Sequence, residues 1–252
     1  MDLKGKTAII TGASSGIGAE TARQLHRKGV RLVLAGQRAS HLQAVAESCG
    51  LLSGGSDSGA ADSAGAVIVV ADITDPGTPA RLLEEALTAT GRCDIVFNNA
   101  GILAAGSIED IDIDAVCRMM RVNVEAAVRM AYVAVKHFKQ TGSGYLISTS
   151  SVLGTKVGLN SGAYSATKFA IEALSESLRM ELAGTDIRVS CVEPGLVMTD
   201  IHRDWEVHPR ELRGMTKVLE PEDVARCVVF MLEQPAHVAM PRLMITPAED
   251  PI

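Results

Sequence analysis

Short, uninterrupted runs of aliphatic and β-branched residues alternate along the chain with longer stretches whose apolar positions recur every three or four residues. The short runs read as strands buried on both faces, over 6–11, 31–35, 67–71, 94–98, 144–149, 187–193 and 243–246. The longer stretches read as amphipathic helices over 16–28, 40–48, 79–90, 114–139, 163–182 and 220–233, several opening with a capping residue or Pro. Strand and helix in strict alternation predict βαβ units wound about one parallel sheet, an α/β Rossmann-type doubly wound fold with seven strands. Residues 50–65 are rich in Gly, Ser, Ala and Asp and lack an apolar period, so they are expected to form a flexible surface insertion. Residues 196–219 are irregular, mixing Met198, Trp205 and Met215 with charges, and are expected to be a substrate-loop region near a pocket.

With 252 residues, 47% hydrophobic and 21% charged, the chain matches one globular domain over 1–252. Its formal net charge of −6 argues against nucleic acid as a partner, because phosphate binding requires a concentrated excess of Lys and Arg. Neither a secretory leader nor an apolar run long enough for a bilayer is visible, so no membrane association and a cytoplasmic location are expected. Cys49, Cys93, Cys117, Cys191 and Cys227 are scattered without redox or metal spacing and read as reduced, mostly buried residues. The histidines show no paired spacing, and no metal site is expected.

Thr11-Gly12-Ala13-Ser14-Ser15-Gly16-Ile17-Gly18 follows the first strand and opens the first helix. Free N–H groups and the helix dipole at such a junction attract a pyrophosphate. Gly12 would supply the turn dihedrals, Gly16 the close approach of backbone to phosphate, and Gly18 tight packing of helix on strand. A carboxylate at the end of the second strand would hold a ribose 2′-hydroxyl, and would repel a 2′-phosphate. Here the strand runs into Gly36-Gln37-Arg38, which favours NADP(H), with NAD(H) as the alternative; Arg38 could also simply lie on a solvated helix end. Asp72, after the third strand, is placed either to contact an adenine edge or to cap the next turn.

Tyr164 and Lys168 stand at i and i+4, on one face of one helix. A phenol with a pKa of about 10 exchanges its proton poorly at neutral pH, and the ammonium is expected to lower that value by favouring the phenolate. Upstream, a strand ends in Ser148-Thr149-Ser150-Ser151, at the sheet edge where open α/β folds bind ligands. Ser148 and Ser150 can be read as hydroxyls that satisfy turn backbone.

With these residues assembled, the chain resembles the short-chain dehydrogenase/reductase family over essentially its whole length. The resemblance rests on TGASSGIG from Thr11 to Gly18, Asp72, Asn98-Asn99-Ala100-Gly101, Asn123, Ser151, the Tyr164/Lys168 pair, and Pro194-Gly195 with Thr199. It implies that Tyr164 is the acid/base, that Ser151 anchors the substrate oxygen, and that Lys168 tunes Tyr164 and grips the nicotinamide ribose. Ser151 lies thirteen residues before Tyr164, the family's usual separation, which selects it over Ser150. Asn123 resembles the residue holding a water that links Lys168 to solvent. Ser14, Ser15, Ile17 and Ile73 would line the cofactor together with Asn99, Ala100 and Gly101, while Pro194, Gly195, Val197 and Thr199 would place the carboxamide. The chain departs from the family at Ser15 and Gln37, where many NADP-preferring members carry basic residues, and at a tail without the frequent Asp-Gly-Gly ending.

The expected activity is hydride transfer between a nicotinamide dinucleotide and a carbonyl/secondary alcohol pair. Leu103, Leu153, Leu159, Leu196, Met198, Trp205 and Met215 would form apolar pocket walls suited to an uncharged small molecule, or be ordinary packing residues. By resemblance, the helices over 114–139 and 163–182 would form a homodimer or homotetramer surface. A nucleotide-binding sensor without turnover is the alternative; it would bind NADPH but be indifferent to Tyr164→Phe, and a scaffold using only the helical surface would not bind NADPH at all.

Overall fold

In the computed structural model, which describes residues 2–50, 66–203, 205 and 207–250, seven strands form one all-parallel sheet. They are β1 Thr7–Thr11, β2 Arg31–Gly36, β3 Ala66–Val70, β4 Ile95–Asn98, β5 Ser143–Thr149, β6 Asp186–Pro194 and β7 Arg242–Ile245, in the spatial order β3-β2-β1-β4-β5-β6-β7. The order reverses between β1 and β4, the switch point above which open α/β sheets bind ligands. The connecting helices are α1 Gly16–Arg27, α2 Ala39–Ser48, α3 Thr78–Thr90, α4 Ile113–Met120, α5 Ala127–Thr141, α6 Gly162–Glu181, the single turn α7 Pro209–Leu212 and α8 Pro221–Glu233. Each expected strand and helix is present, with ends shifted by a residue or two. The expected insertion lies, apart from Gly50, outside the described residues.

Side chains on a strand point alternately to the two faces, and the core divides accordingly. Ala8, Ile10, Leu32, Leu34, Ile95, Phe97 and Ile147 pack with Ala19, Ala22 and Leu25 of α1 and Val224 and Val228 of α8. Ile9, Val33, Val69, Val96 and Leu146 face the other way onto Leu82 of α3, Met130, Ala134 and Phe138 of α5 and Leu178 of α6. Helices on both faces explain why the strands are apolar throughout rather than alternating.

Local chemistry sets several boundaries. Asp112 caps α4 by accepting from the backbone N–H groups of Asp114 and Ala115, and α8 opens with Pro221 inside a reciprocal Glu220/Asp223 cap. The stretch expected as one helix over 114–139 is interrupted by a π-helical turn, Arg121–Ala126. Cys49, Cys93 and Cys191 are buried, Cys227 partly so and Cys117 exposed, all as free thiols. Among the described residues, no helix is long and apolar enough to cross a membrane.

Candidate active site

The carboxyl ends of β1, β4 and β5 are tied by a relay of short polar side chains. Thr11 Oγ1 accepts from the backbone N–H of Asn99 at 2.9 Å and of Ala100 at 3.0 Å. Asn99 Nδ2 donates back to the Thr11 carbonyl at 3.1 Å, and Thr149 Oγ1 donates to Asn99 Oδ1 at 3.0 Å. Lys168 Nζ completes the chain by donating to the Thr149 carbonyl at 2.8 Å. Thr11 and Thr149 stand within the sequence motifs, which by themselves assign them no role.

Glycines set the geometry above this edge. Gly12 has φ +66°, and a Cβ there would come within 2.9 Å of Ala100 Cα. A Cβ on Gly18 would lie 2.3 Å from the Gly12 carbonyl oxygen, so the start of α1 rests directly on the turn. Both positions require the residue that leaves no side chain. The result is an anion-receptive helix N-terminus held against the sheet.

Arg38 does not lie idle on a solvated helix end. Its Nη2 donates to Ser15 Oγ at 2.7 Å and to Ser14 Oγ at 3.3 Å. Its Nη1 stands 3.6 Å from Asp200 Oδ2, so the guanidinium bridges the glycine turn and the segment after β6. Asp72 is used locally: Oδ1 accepts from the backbone N–H of Thr74 at 2.8 Å and from its hydroxyl at 2.7 Å. Those bonds hold its carboxyl below the usual aspartate range.

All the nominated catalytic and cofactor-binding residues except Gly18, Asp72 and Asn123 line one cleft of about 1320 Å³. That volume exceeds the usual drug-sized pocket of roughly 300–1,000 Å³ and is large enough for a dinucleotide with a small second molecule. Gly18 lies beneath the turn. Asn123, 2% exposed, sits in the π turn, where its side chain accepts from the Ile102 N–H at 2.9 Å and donates to the Ile102 carbonyl at 2.8 Å. A third, longer bond runs to Thr167 Oγ1 at 3.3 Å. Widening one helical turn thus lets a buried amide hold the loop after β4.

Tyr164 and Lys168 share one face of α6, with Lys168 Nζ 5.6 Å from the centre of the Tyr164 ring. The expected lowering of the phenol is corrected by its surroundings. Burial pushes Tyr164 up to about 12, and a hydrogen bond with Ser151 only partly opposes that; the ammonium is turned to the Thr149 carbonyl instead. Lys168 is itself pushed down to about 8 by burial, against the influence of Cys191 and Glu172. Ser151 also makes a long 3.4 Å bond to the Pro194 carbonyl and accepts from the Leu153 N–H at 3.1 Å.

Of the expected pocket walls, Leu103, Leu153, Leu159, Leu196 and Trp205 line the cleft. Met198 and Met215 do not: they pack with Leu196 and Val218 in a small core under residues 196–219. The tail braces this segment from behind. Gly195 N–H donates to the Ile245 carbonyl at 2.8 Å, and Arg213 Nη1 binds Asp250 Oδ2 at 3.0 Å. His202, also on the cleft, is driven down to about 4 by burial and by nearby His208 and Arg213, so it is neutral at physiological pH. Sequence reasoning also missed Asp200, and two buried carboxyls behind the site, Glu172 and Glu193.

Comparison with known proteins agrees with this geometry. The family described as short chain dehydrogenase matches residues 6–209. An uncharacterised oxidoreductase of Staphylococcus aureus is 34% identical over 245 residues, covering 97% of this chain and 98% of its own. A short chain dehydrogenase from Burkholderia cenocepacia, solved in complex with NADP, is 30% identical with a TM-score of 0.83, over 97% of this chain and 98% of that one. A 3-ketoacyl-(acyl-carrier-protein) reductase from Brucella melitensis, solved with NADH, is 26% identical with a TM-score of 0.85, over 98% and 99%. The chain therefore belongs to the short-chain dehydrogenase/reductase family, and with it to the NAD(P)-dependent oxidoreductases.

Proposed function

We propose that this protein interconverts a small uncharged carbonyl compound and its secondary alcohol with NADP(H), using Tyr164 as the proton-transferring group. The observation that supports this most is that Tyr164, Ser151 and Lys168 line the wall of the same cleft into which the glycine turn opens. The cleft-lining turn at Gly12 and Gly16 and the helix N-terminus fit a pyrophosphate, and Arg38 with Ser14 and Ser15 fits a 2′-phosphate. When bound, the nicotinamide supplies or accepts the hydride.

The chain's own residues then divide the remaining work. Tyr164, held protonated by its surroundings, gives its proton to the substrate oxygen in reduction and recovers it in oxidation. Ser151 offers a second hydrogen bond to the same oxygen; its 3.4 Å bond to Pro194 is weak enough to exchange for it. Lys168 holds the ribose and, once its ammonium faces the phenolate, stabilises that charge. Asn123 supports a water leading from Lys168 toward solvent. Gly101, Val197, Thr199 and the Pro194–Gly195 backbone hold the nicotinamide end, and Ile17 and Ile73 flank the rest of the cofactor.

Apolar walls at Leu103, Leu153, Leu159 and Trp205, with Arg213 already neutralised by Asp250, suit a substrate without charge. The test is NADPH oxidation against a panel of ketones and aldehydes. Tyr164→Phe should lower turnover by about 10²- to 10⁴-fold, the usual scale of acid–base catalysis, with NADPH affinity kept. Unchanged turnover in that variant, or NADPH binding with no turnover on any carbonyl, would favour a sensor instead.

A further inference from the structure

The apolar side of the cleft carries one imidazole, His202, backed by a second, His208, and the proposed mechanism uses neither. His202 and Trp205 both line the cleft, their rings edge to face with centres 5.4 Å apart. His202 Nδ1 is buried and has no hydrogen-bond partner among the described residues, which leaves Nε2 as the ring nitrogen open to the cleft. His208 stands at the start of α7, where its Nδ1 accepts from the backbone N–H of Arg210 at 3.1 Å. A ring nitrogen that accepts carries no proton, so the proton of this imidazole sits on Nε2. That Nε2–H is also buried and has no acceptor among the described residues.

The two unpartnered atoms belong to rings whose centres are 5.2 Å apart, with an interplanar angle of 77°. An imidazole nitrogen lies roughly 1 Å from its ring centre, so an N–H···N bond of about 3 Å sets two such centres about 5 Å apart. The spacing is that of a hydrogen-bonded pair, and rotation about the soft outer torsion of either ring aligns it. Only one tautomer of His202 suits this neighbour. A proton on His202 Nδ1 would set two buried N–H donors against each other, whereas a bare Nδ1 gives His208 the acceptor it lacks.

We propose that His208 Nε2–H donates to His202 Nδ1 and so fixes His202 as a donor that presents its Nε2–H to the substrate. The group it recognises is a second, uncharged oxygen of the carbonyl compound, in an ester or another ketone, remote from the carbon that takes the hydride. His202 is then a specificity-determining residue, and His208 a positioning residue that acts through it. The surroundings suit a neutral acceptor. His202, pushed down to about 4, offers one N–H without a charge, Arg213 is already paired with Asp250, and Leu159, Trp205 and Leu212 on the same cleft are apolar. A substrate lacking the second oxygen would leave the imidazole N–H without a partner, which is how a polar group in an apolar wall discriminates.

The inference deepens the proposed function and takes its substrate class from it, and the test separates the two. Nitrogen-15 NMR of the histidine-labelled protein at neutral pH should show both rings as Nε2–H tautomers, with His202 Nδ1 bare. Adding a keto ester to the protein loaded with NADP+, which cannot reduce it, should shift the His202 Nε2 signal. In kinetics, NADPH oxidation is compared for keto esters and linear alkanones of matched length. The ratio of kcat/KM for keto ester over alkanone should fall roughly 3- to 10-fold in His202→Phe, which keeps a ring against Trp205. The loss should enter mainly through KM, because the bond is made before and during the hydride step alike. His202→Gln, whose amide can place an N–H near the same point, should restore most of the ratio. His208→Asn, which keeps an acceptor for the Arg210 N–H but removes the remote donor, should lower it by a smaller factor. A proton on His202 Nδ1, or a ratio that His202→Phe leaves unchanged, overturns the inference. Should no carbonyl be turned over, the proposed function fails, and the tautomers and the response of His202 Nε2 to the keto ester still decide the role of the pair.

Discussion

Replacing Arg38 by Ala isolates cofactor choice, because the guanidinium contacts the glycine turn and nothing in the sheet. A 2′-phosphate entering beside Ser14 and Ser15 would gain charge-assisted hydrogen bonds worth about 1.5–3 kcal/mol. Against this stands the loss of the 3.6 Å pairing with Asp200. Both side chains are substantially exposed, 34% and 57%, so screening limits that pair to at most about 1 kcal/mol. The net, with the whole of that pairing subtracted, is about 0.5–2 kcal/mol, or roughly 2- to 30-fold in affinity. Fluorescence titration should therefore show Arg38→Ala weakening NADPH by that factor while NADH changes less than about twofold. Asp200→Asn should do the reverse, tightening NADPH by up to about fivefold because its competitor is gone. Equal loss for both cofactors in Arg38→Ala, or no loss for either, would refute the assignment of Arg38 to the phosphate.

Three further expectations follow from the scaffold. Gly18→Ala places a methyl group 2.3 Å from the Gly12 carbonyl; parting helix from turn should cost about 1–3 kcal/mol, seen as a lower melting temperature together with weaker binding of either cofactor. Thr11→Val keeps the shape but strands the N–H groups of Asn99 and Ala100, so about 1–3 kcal/mol should be lost in urea unfolding. For Asp94, burial opposes the charge, but bonds from Arg92 and the Thr7 N–H and the nearby Lys6 outweigh it and hold the carboxyl below the usual range. Its contribution is complete above the unfolded value of about 3.9 and is withdrawn as pH falls through the lower folded value. Asp94→Asn should lower the melting temperature at neutral pH and flatten its fall in acid.

Most of the fold was legible because parallel strands covered on both faces leave unbroken apolar runs, and Ile9 and Ile10 can serve opposite core layers without any polar interruption. The glycine turn was legible for a related reason: close approach and positive φ exclude other residues, so composition reports geometry at Gly12 and Gly18. Elsewhere the determinants are long-range. The π turn around Asn123 lies inside an ordinary amphipathic period, and the partner of its amide is a loop backbone at Ile102 that local sequence does not encode. Met198 and Met215 have the composition of pocket walls, yet whether a Met faces a cleft or a small core depends on how residues 196–219 return to the tail. The direction of the Tyr164 shift failed for the same reason: burial by the surrounding fold raises the phenol, and although spacing put Lys168 nearby, Thr149 captures its ammonium.

The two halves of the cleft are built on different physical terms. On the cofactor side, Thr11, Asn99 and Thr149 link three strand ends through partly buried hydrogen bonds, and breaking those at Thr11 leaves backbone N–H groups unpaired, so this half resists change. On the other side, Leu159 and Trp205 are 93% and 36% exposed and come from segments outside the sheet, where a substitution forfeits little burial. Residues 196–219 are held instead at a few points, by Leu196, Met215 and Val218 underneath and by the Arg213–Asp250 pair behind. Surface substitutions free of such contacts usually change stability by under about 0.5 kcal/mol. Under the proposed function, the wall that meets the substrate can therefore vary while the floor that orients the hydride stays fixed, so that one scaffold can take different substrate shapes without rebuilding its chemistry.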